Sequence, residues 1–203
     1  MRSNQQAPAN GRPTTERVQS IFKSLAPDYD RFNRLSSLGV DRSWRRKTVK
    51  MAQLRRTSQV LDIAAGTGDL TMALANYGQP DSILSTDFVP EMLEVGKEKA
   101  AQYEGSTSIS FAVVDAQDLP FNDESFDVVT VGFGVRNLPD RSANFREVYR
   151  VLKPGGRYVV LEMSRPPFAP FRALYHFYLH TVIPMLGGLL TGIGPCNVAM
   201  VPL

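Results

Sequence analysis

The stretch from residue 60 to residue 70 constrains the fold more than any other part of the chain. Its sequence, VLDIAAGTGDL, predicts a short buried strand, a sharp glycine turn and the start of a helix. Glycines at such a turn let backbone N–H groups approach a ligand that a side chain would block. Asp87 closes the next apolar run, where a carboxylate can accept hydrogen bonds from ribose hydroxyls. Together the two features predict a site for a nucleoside-containing cofactor.

Short apolar runs alternate with amphipathic helical stretches after residue 58. This alternation predicts an α/β fold with a mostly parallel sheet and helices on both faces. The predicted strands are residues 60–64, 83–86, 109–114, 128–133 and 158–163. Helices are predicted for residues 70–77, from Pro90 onward, and for residues 142–152. Pro154, Gly155 and Gly156 predict a tight turn that precedes the last strand.

Composition divides the chain into four predicted parts. Residues 1–15 form a disordered leader, 16–56 a helical cap, 57–165 the cofactor-binding core, and 166–203 a lid helix with an atypical tail.

In the cap, Asp41 is the predicted N-cap of a helix that carries a run of basic residues. These basic residues are Arg42, Arg45, Arg46, Lys47 and Lys50. A solvated face is the expected role of the run, and a membrane or phosphate contact is the alternative.

Charge and cysteine content limit the partners and the compartment. The formal net charge of +3 over 203 residues is too small to indicate nucleic-acid binding, but it is compatible with an anionic membrane surface. The single cysteine excludes an internal disulfide and fits a reducing compartment. The N-terminal segment lacks the apolar centre of a signal peptide, so a cytoplasmic location is expected.

The residues around the glycine turn discriminate between cofactor classes. A dinucleotide fingerprint requires a third glycine three positions after Gly68, where this chain has Thr71. Asp69 would repel a pyrophosphate, whereas it suits a sulfonium or an α-amino group. Asp115 ends the third predicted strand, where it either binds an exocyclic adenine amine or caps a turn.

Several motifs then occur together and in order. They are LDIAAGTGD at 61–69, acids at 87 and 115, FNDESFD at 121–127, FGVRN at 133–137, RVLKPGG at 150–156 and LEMSRP at 161–166. This combination resembles the class I S-adenosylmethionine-dependent methyltransferases. More narrowly, it resembles the C-methyltransferases of quinone biosynthesis, which act on demethylmenaquinol or a ubiquinone precursor. The resemblance covers residues 16–190 and implies a Rossmann-like methyltransferase fold with an N-terminal helical cap.

The resemblance also implies which residues hold S-adenosylmethionine. Three kinds of position are involved: the glycine turn on the methionine side, acids at the ribose and adenine, and a small residue on the pocket floor. The residues at these positions are Gly66, Thr67, Gly68, Asp87, Asp115, Ala116 and Gly132.

The implied reaction is methylation of a ring carbon of a prenylated hydroquinone. Arg136 is the candidate cation that stabilises the phenolate, with Asn137 and Tyr29 hydrogen-bonding the ring oxygens or a water. Because arginine stays protonated, its role is electrostatic or water-mediated. No metal is implied. His176 and His180 have a zinc-like spacing but no third ligand, so an aromatic lid face is expected.

A prenylated acceptor also implies an apolar entry. Residues 168–190 are predicted to form a lid that contacts the membrane interface, or that simply packs on the sheet. Family members continue with two antiparallel strands and a helix, so the last edge strands are expected to be missing from a truncated or frame-shifted chain. A homodimer is a further expectation. The alternative functions are a methyltransferase for another small-molecule acceptor and an inactive cofactor-binding fragment.

Overall fold

The computed structural model describes residues 29–37 and 39–163, together with residues 168 and 181. The predicted leader, most of the predicted lid, the C-terminal tail and both histidines lie outside the described residues. No helix in the described ranges is both long enough and apolar enough to span a bilayer.

Strands and helices alternate through most of the described chain. The strands are β1 (Gln59–Ile63), β2 (Ser82–Asp87), β3 (Ser108–Val113), β4 (Phe126–Gly132) and β5 (Leu152–Leu161). The α-helices are α1 (Tyr29–Ser36), α2 (Asp41–Ala52), α3 (Asp69–Ala73), α4 (Pro90–Ala100) and α5 (Arg141–Val151). A π-helical turn (Leu74–Gly78) continues α3, and a 3-10 turn (Val135–Asn137) follows β4.

The five strands form one sheet in the order β3-β2-β1-β4-β5, and their pairings are parallel. Strand β1 is central and buried on both faces, and its sequence is apolar apart from Asp62 and the exposed Gln59 at its start. On one face, Val60 packs in a cluster with residues of α2 and α3. On the other face, Leu61 and Ile63 pack with residues of α5. The predicted parallel α/β fold is confirmed.

Strand β5 begins earlier than the sequence predicts. The pairing Phe126↔Leu152 already belongs to the sheet, and regular pairing resumes at Val128↔Arg157. The predicted turn at residues 154–156 is therefore an irregularity within β5, not a segment before it. Gly155 supplies the left-handed φ of +76° that this irregularity needs.

Helix α2 differs from its prediction at two residues. Asp41 is the first helical residue, and Val40 occupies the cap position. The Asp41 carboxylate accepts a 2.9 Å hydrogen bond from Ser37 and forms an ion pair with Arg45. Arg45 lies on the buried side of the helix, so the prediction of a solvated basic face is wrong for this residue. The other four basic residues of the run are exposed.

Candidate active site

A cleft opens beyond the carboxyl ends of the strands, where ligands bind in open parallel sheets. Its unoccupied volume, with its open mouth included, is about 690 Å³. Seven of the ten residues predicted for the site line it, namely Tyr29, Gly66, Asp87, Asp115, Ala116, Gly132 and Asn137. Thr67, Gly68 and Arg136 are not part of the wall, although Thr67 and Arg136 each adjoin a lining residue in the sequence.

Asp87 fastens the glycine turn to the end of β2. Its Oδ2 accepts a 2.8 Å hydrogen bond from the Gly66 N–H, and its Oδ1 accepts a 2.9 Å bond from the Val89 N–H. Burial raises the pKa of Asp87, while the backbone hydrogen bonds favour its charged form. A carboxylate has about four acceptor positions. Asp87 therefore braces the turn and keeps positions for the hydroxyls of a ribose.

The turn requires glycine for two separate reasons. Gly66 and Gly68 have φ values of +58° and +76°, in the left-handed region. A Cβ atom at Gly66 would also lie 3.4 Å from Met92 Cε and 4.0 Å from the Tyr29 ring. Any side chain at position 66 would thus begin to fill the cleft.

Thr67 and Asp69 face away from the cleft wall and join the turn to α1 and α4. The Thr67 hydroxyl donates a 2.5 Å hydrogen bond to Asp30, on α1. Lys99 Nζ lies 2.5 Å from a carboxylate oxygen of both Asp30 and Asp69. The second carboxylate oxygen of Asp69 lies 3.0 Å from an Arg45 guanidinium nitrogen.

These contacts form a cluster of alternating charges, here called the ionic bridge. Its members are Asp30, Asp41, Arg45, Asp69 and Lys99. Since both oxygens of Asp69 contact cations of the chain, the geometry favours a supporting role for Asp69 over direct contact with a sulfonium. The ionic bridge could not be predicted from the sequence, because its members come from four different helices.

The adenine side of the predicted site has polar and apolar parts. Asp115 is exposed and accepts hydrogen bonds from the Gln117 N–H at 2.9 Å and the Gln117 side-chain amide at 3.0 Å. It therefore caps a turn and also lines the cleft. Ala116 is buried, and its carbonyl accepts a 2.7 Å bond from Asn144. Phe88 and Leu138 add apolar walls that the sequence did not reveal, although Phe88 directly follows Asp87.

Arg136 and Tyr29 differ in their position relative to the cleft. Arg136 NH1 lies 3.4 Å from Glu162 Oε1, and its side chain is 26% exposed. Tyr29 lines the cleft; burial raises the pKa of its phenol, and the charge of Arg136 opposes that shift. The structure therefore places Tyr29, the predicted hydrogen-bond donor, in the cleft, and Arg136, the predicted cation, beside it.

Phe133 is a lining residue that the sequence did not single out. Its φ of +58° is unusual for a bulky side chain, and such strain concentrates at functional sites. Its ring makes an edge-to-face contact with Trp44, with the centroids 6.2 Å apart, and the Arg136 guanidinium lies 5.9 Å from the ring centroid. Its position inside the FGVRN motif was the available signal.

Behind the turn, Asp62 forms a fully buried polar cluster. Its Oδ2 accepts a 2.6 Å hydrogen bond from Thr71, and its Oδ1 accepts a 2.7 Å bond from Thr130. Burial raises the pKa of Asp62 to about 6. Asp62 is not among the lining residues, so it supports the turn from below.

Comparison with known proteins identifies relatives along most of the chain. Residues 12–192 match the model of the ubiE/COQ5 methyltransferase family. A ubiquinone/menaquinone biosynthesis C-methyltransferase UbiE from Geotalea daltonii is 47% identical over 175 residues, which are 86% of this chain and 74% of that protein. A demethylmenaquinone methyltransferase from Bacteroides fragilis is 41% identical over 90% of this chain and 75% of its own length.

Solved structures with a similar fold also match this chain, and the match spans a smaller part of their own length. The YcgJ protein from Bacillus subtilis is 30% identical with a TM-score of 0.56, over 72% of this chain and 58% of its own. A SAM-dependent methyltransferase from Methanosarcina mazei is 27% identical with a TM-score of 0.54, over 64% of this chain and 65% of its own.

Proposed function

The chain belongs to the ubiE/COQ5 methyltransferase family, and we propose that it transfers a methyl group from S-adenosylmethionine to a ring carbon of a prenylated quinol. The acceptor is demethylmenaquinol or a ubiquinone precursor, the compounds suggested by the names of its relatives. One observation carries the proposal: in a chain with these relatives, the predicted turn and the acids at 87 and 115 meet at a single cleft.

The residues of the cleft fit S-adenosylmethionine. Asp87 keeps acceptor positions for ribose hydroxyls, and Asp115 can accept from the adenine amine. Phe88 and Leu138 offer apolar surface to the base, and Gly66 adds no side chain that would enter the cleft. The negative charges of Asp87 and Asp115 also suit a positively charged cofactor. When bound, the cofactor supplies an electrophilic methyl group on a positively charged sulfur.

The chain's own residues act on the acceptor. A ring carbon is nucleophilic when the neighbouring phenol is ionised, so the site must stabilise a phenolate and hold it in place. Arg136 is the candidate cation for this role; it lies beside the cleft, where it is paired with Glu162. Since burial raises the pKa of Tyr29, its phenol stays protonated at neutral pH. Tyr29 and the side-chain amide of Asn137 can therefore both donate hydrogen bonds to the ring oxygens of the acceptor. Orientation of this kind can supply about 7–11 kcal/mol of the barrier.

Location, domain division and oligomeric state concern the chain as a whole. A prenylated acceptor partitions into bilayers, which supports a cytoplasmic protein that contacts the membrane peripherally. The division into a cap, a core and a lid, with boundaries at residues 57 and 166, stays a prediction, as does a homodimer.

The direct test supplies the full chain with S-adenosylmethionine and demethylmenaquinol under reducing conditions. Mass spectrometry and NMR of the product should show one added methyl group on a ring carbon. An O-methyl ether would contradict the proposal. Cofactor binding without turnover would favour another acceptor or an inactive fragment, and calorimetry that detects no cofactor binding would exclude both enzyme assignments.

An Asp87→Asn variant tests the cofactor side of the proposal. It removes the charge and one of the acceptors at the ribose position, so binding of S-adenosylmethionine should weaken by about 10- to 100-fold. The matched control is Asp81→Asn, because Asp81 is exposed and precedes the same strand. Calorimetry should give unchanged affinity for the control. Equal affinities for the two variants would contradict the role assigned to Asp87.

A further inference from the structure

Charge is distributed very unevenly between the two described cap helices and the rest of the chain. Residues 29–57 hold nine Lys and Arg but only two Asp, whereas the whole chain has a formal net charge of +3. The remainder therefore carries a net negative charge. The small overall charge conceals a molecule with one strongly basic side.

Both acids of this segment are already engaged by other side chains, so they do not offset its exposed cations. Asp30 contacts Thr67 and Lys99, and Asp41 is buried against Arg45. Arg45 is the one buried cation of the segment, and the remaining eight are exposed. These exposed cations are Arg31, Arg34, Arg42, Arg46, Lys47, Lys50, Arg55 and Arg56.

Helical geometry places four of these cations on one face of α2. Arg42, Arg46 and Lys50 are spaced by four residues, which puts them side by side, and Lys47 extends the same side. Most buried residues of α2, among them Thr48 and Ala52, occupy the opposite side. The contact of Arg46 with the Tyr77 hydroxyl, at 3.0 Å, leaves its charge uncompensated because tyrosine is neutral.

Exposed apolar side chains border this basic face, here defined by Arg42, Arg46, Lys47 and Lys50. Met51 is 67% exposed and Val40 is 45% exposed, one near each end of α2. Basic residues flanked by exposed apolar ones are the pattern of a helix that lies on a bilayer surface. A groove for duplex nucleic acid would require polar readers of phosphate and base edges, not exposed methionine.

The same helix pair contacts the cleft. Tyr29, on α1, lines the cleft, and Trp44, on α2, packs edge-to-face on the lining residue Phe133. A surface bound by α2 would thus lie close to the acceptor side of the site.

From this charge, exposure and placement we propose that the basic face of α2 docks the protein on an anionic lipid bilayer. The choice of a bilayer rests on the proposed function, because a prenylated acceptor resides there. Docking brings the side of the cleft formed by Tyr29 and Phe133 to the surface that holds the substrate.

The test measures binding of the full chain to vesicles without cofactor or acceptor. Vesicles of phosphatidylcholine mixed with phosphatidylglycerol should bind the protein, and vesicles of phosphatidylcholine alone should not. Trp44 is the chain's single tryptophan, so its fluorescence reports contact with brominated lipid. Raising the salt from about 0.05 M to about 0.5 M should release the protein.

A triple variant, R42Q/K47Q/K50Q, identifies the docking surface. At about 1 kcal/mol for each cation, its partitioning should fall by roughly a hundredfold or more. The matched control is K97Q/R146Q/R157Q, which removes three exposed cations located outside the helix pair. The control should bind vesicles as the wild type does, and circular dichroism should show that both variants are folded.

Three results would overturn the docking proposal: equal loss in both variants, no loss in R42Q/K47Q/K50Q, or wild-type binding to duplex DNA but not to vesicles. A water-soluble acceptor with a short side chain separates this test from the proposed function. Methylation of that acceptor without vesicle binding refutes docking alone, and vesicle binding without methylation refutes the function alone.

Discussion

At the scale of single residues, Asp62 shows how a carboxylate can serve the site without touching the cleft. It is fully buried, and hydroxyls of Thr71 and Thr130 donate to its two oxygens. Thr71 also lies 2.9 Å from the Ser85 hydroxyl, which links the cluster to β2. The glycine turn is thus held from below by hydrogen bonds that tie β1, β2, α3 and β4 together.

Asp62→Asn should change how stability depends on pH. Burial raises the pKa of Asp62 to about 6 from 3.8, so the folded state retains this proton over an interval in which the unfolded chain releases it. The contribution of Asp62 to stability is therefore complete below pH 3.8 and is lost as the pH rises through 6. The loss amounts to about 3 kcal/mol.

Urea unfolding of the wild type and Asp62→Asn at several pH values between 4 and 7 checks this sign. The unfolding free energy of the wild type, minus that of the variant, should decrease by about 2–2.5 kcal/mol over this pH interval. Asp81→Asn should show no such trend, because Asp81 is exposed. A difference that increases with pH would mean that the carboxylate is stabilised in the fold as an anion.

Some residues of the site could be predicted from the sequence, and others could not. Asp87 and Gly66 were predictable because a strand end and a glycine turn impose their positions locally. Phe133 was not, since its left-handed backbone depends on the packing around the end of β4. The burial of Arg45 was also not predictable, because one of the two carboxylates that balance its charge, Asp69, is 24 positions away and on another helix.

At the scale of elements, β5 combines a strand with an irregularity that resembles a turn. Lys153, within this irregularity, contacts Asp127 of β4 at 3.0 Å, and Asp127 also accepts a 2.8 Å bond from the Gln59 N–H at the start of β1. Ionic contact and backbone pairing thus hold the same corner of the sheet. The two glycines of the irregularity have different reasons to be glycine.

Gly156→Ala should destabilise the protein more than Gly155→Ala. A Cβ at position 156 would lie 2.8 Å from the Lys153 carbonyl and 3.0 Å from the Asp127 carbonyl, and backbone atoms cannot rotate away. The expected cost is about 2–3 kcal/mol. At position 155 there is open space and only the left-handed φ is unfavourable, which costs about 1 kcal/mol. Denaturant unfolding measures both values, and the reverse order would refute the close contact.

Element boundaries were predictable where apolar runs end sharply. The predicted strand at residues 83–86 differs from β2 (Ser82–Asp87) by one residue at each end. The start of β5 was not predictable, because proline and glycines indicate a turn in any local reading. Only pairing of Leu152 with Phe126, across the sheet, places that segment in the strand.

At the scale of the whole molecule, the ionic bridge joins the cap helices to the cofactor turn. Asp30 belongs to α1, Arg45 to α2, Asp69 to α3 and Lys99 to α4. The carboxylates of Asp30 and Asp69 share Lys99, so the three charges depend on one another. Elements that are distant in the chain are therefore fixed around one turn.

Lys99→Met should weaken both folding and cofactor binding. Without the ammonium, Asp30 and Asp69 lie close together as like charges, with side chains about one-third exposed. After allowance for this exposure, the expected loss of stability is about 1–2 kcal/mol. Because Thr67 donates to Asp30, disturbance of the bridge should also lower the affinity for S-adenosylmethionine.

Lys97→Met is the matched control for this variant. Lys97 lies on the same helix, and its ion pair with Glu94 is exposed, so its loss should cost about 0.5 kcal/mol or less. Thermal unfolding and calorimetry are the two measurements. Equal effects of the two variants would show that the bridge contributes no more than an ordinary surface ion pair.

The parallel sheet also has a consequence for the order of folding during synthesis. Val60 of β1 pairs with Ile83 on one side and with Val128 on the other. The first partner leaves the ribosome soon after β1, while the second follows only after β3 and its connections. One edge of the central strand therefore stays unpaired until 68 more residues have been synthesised, and such non-local parallel pairing slows completion of the fold.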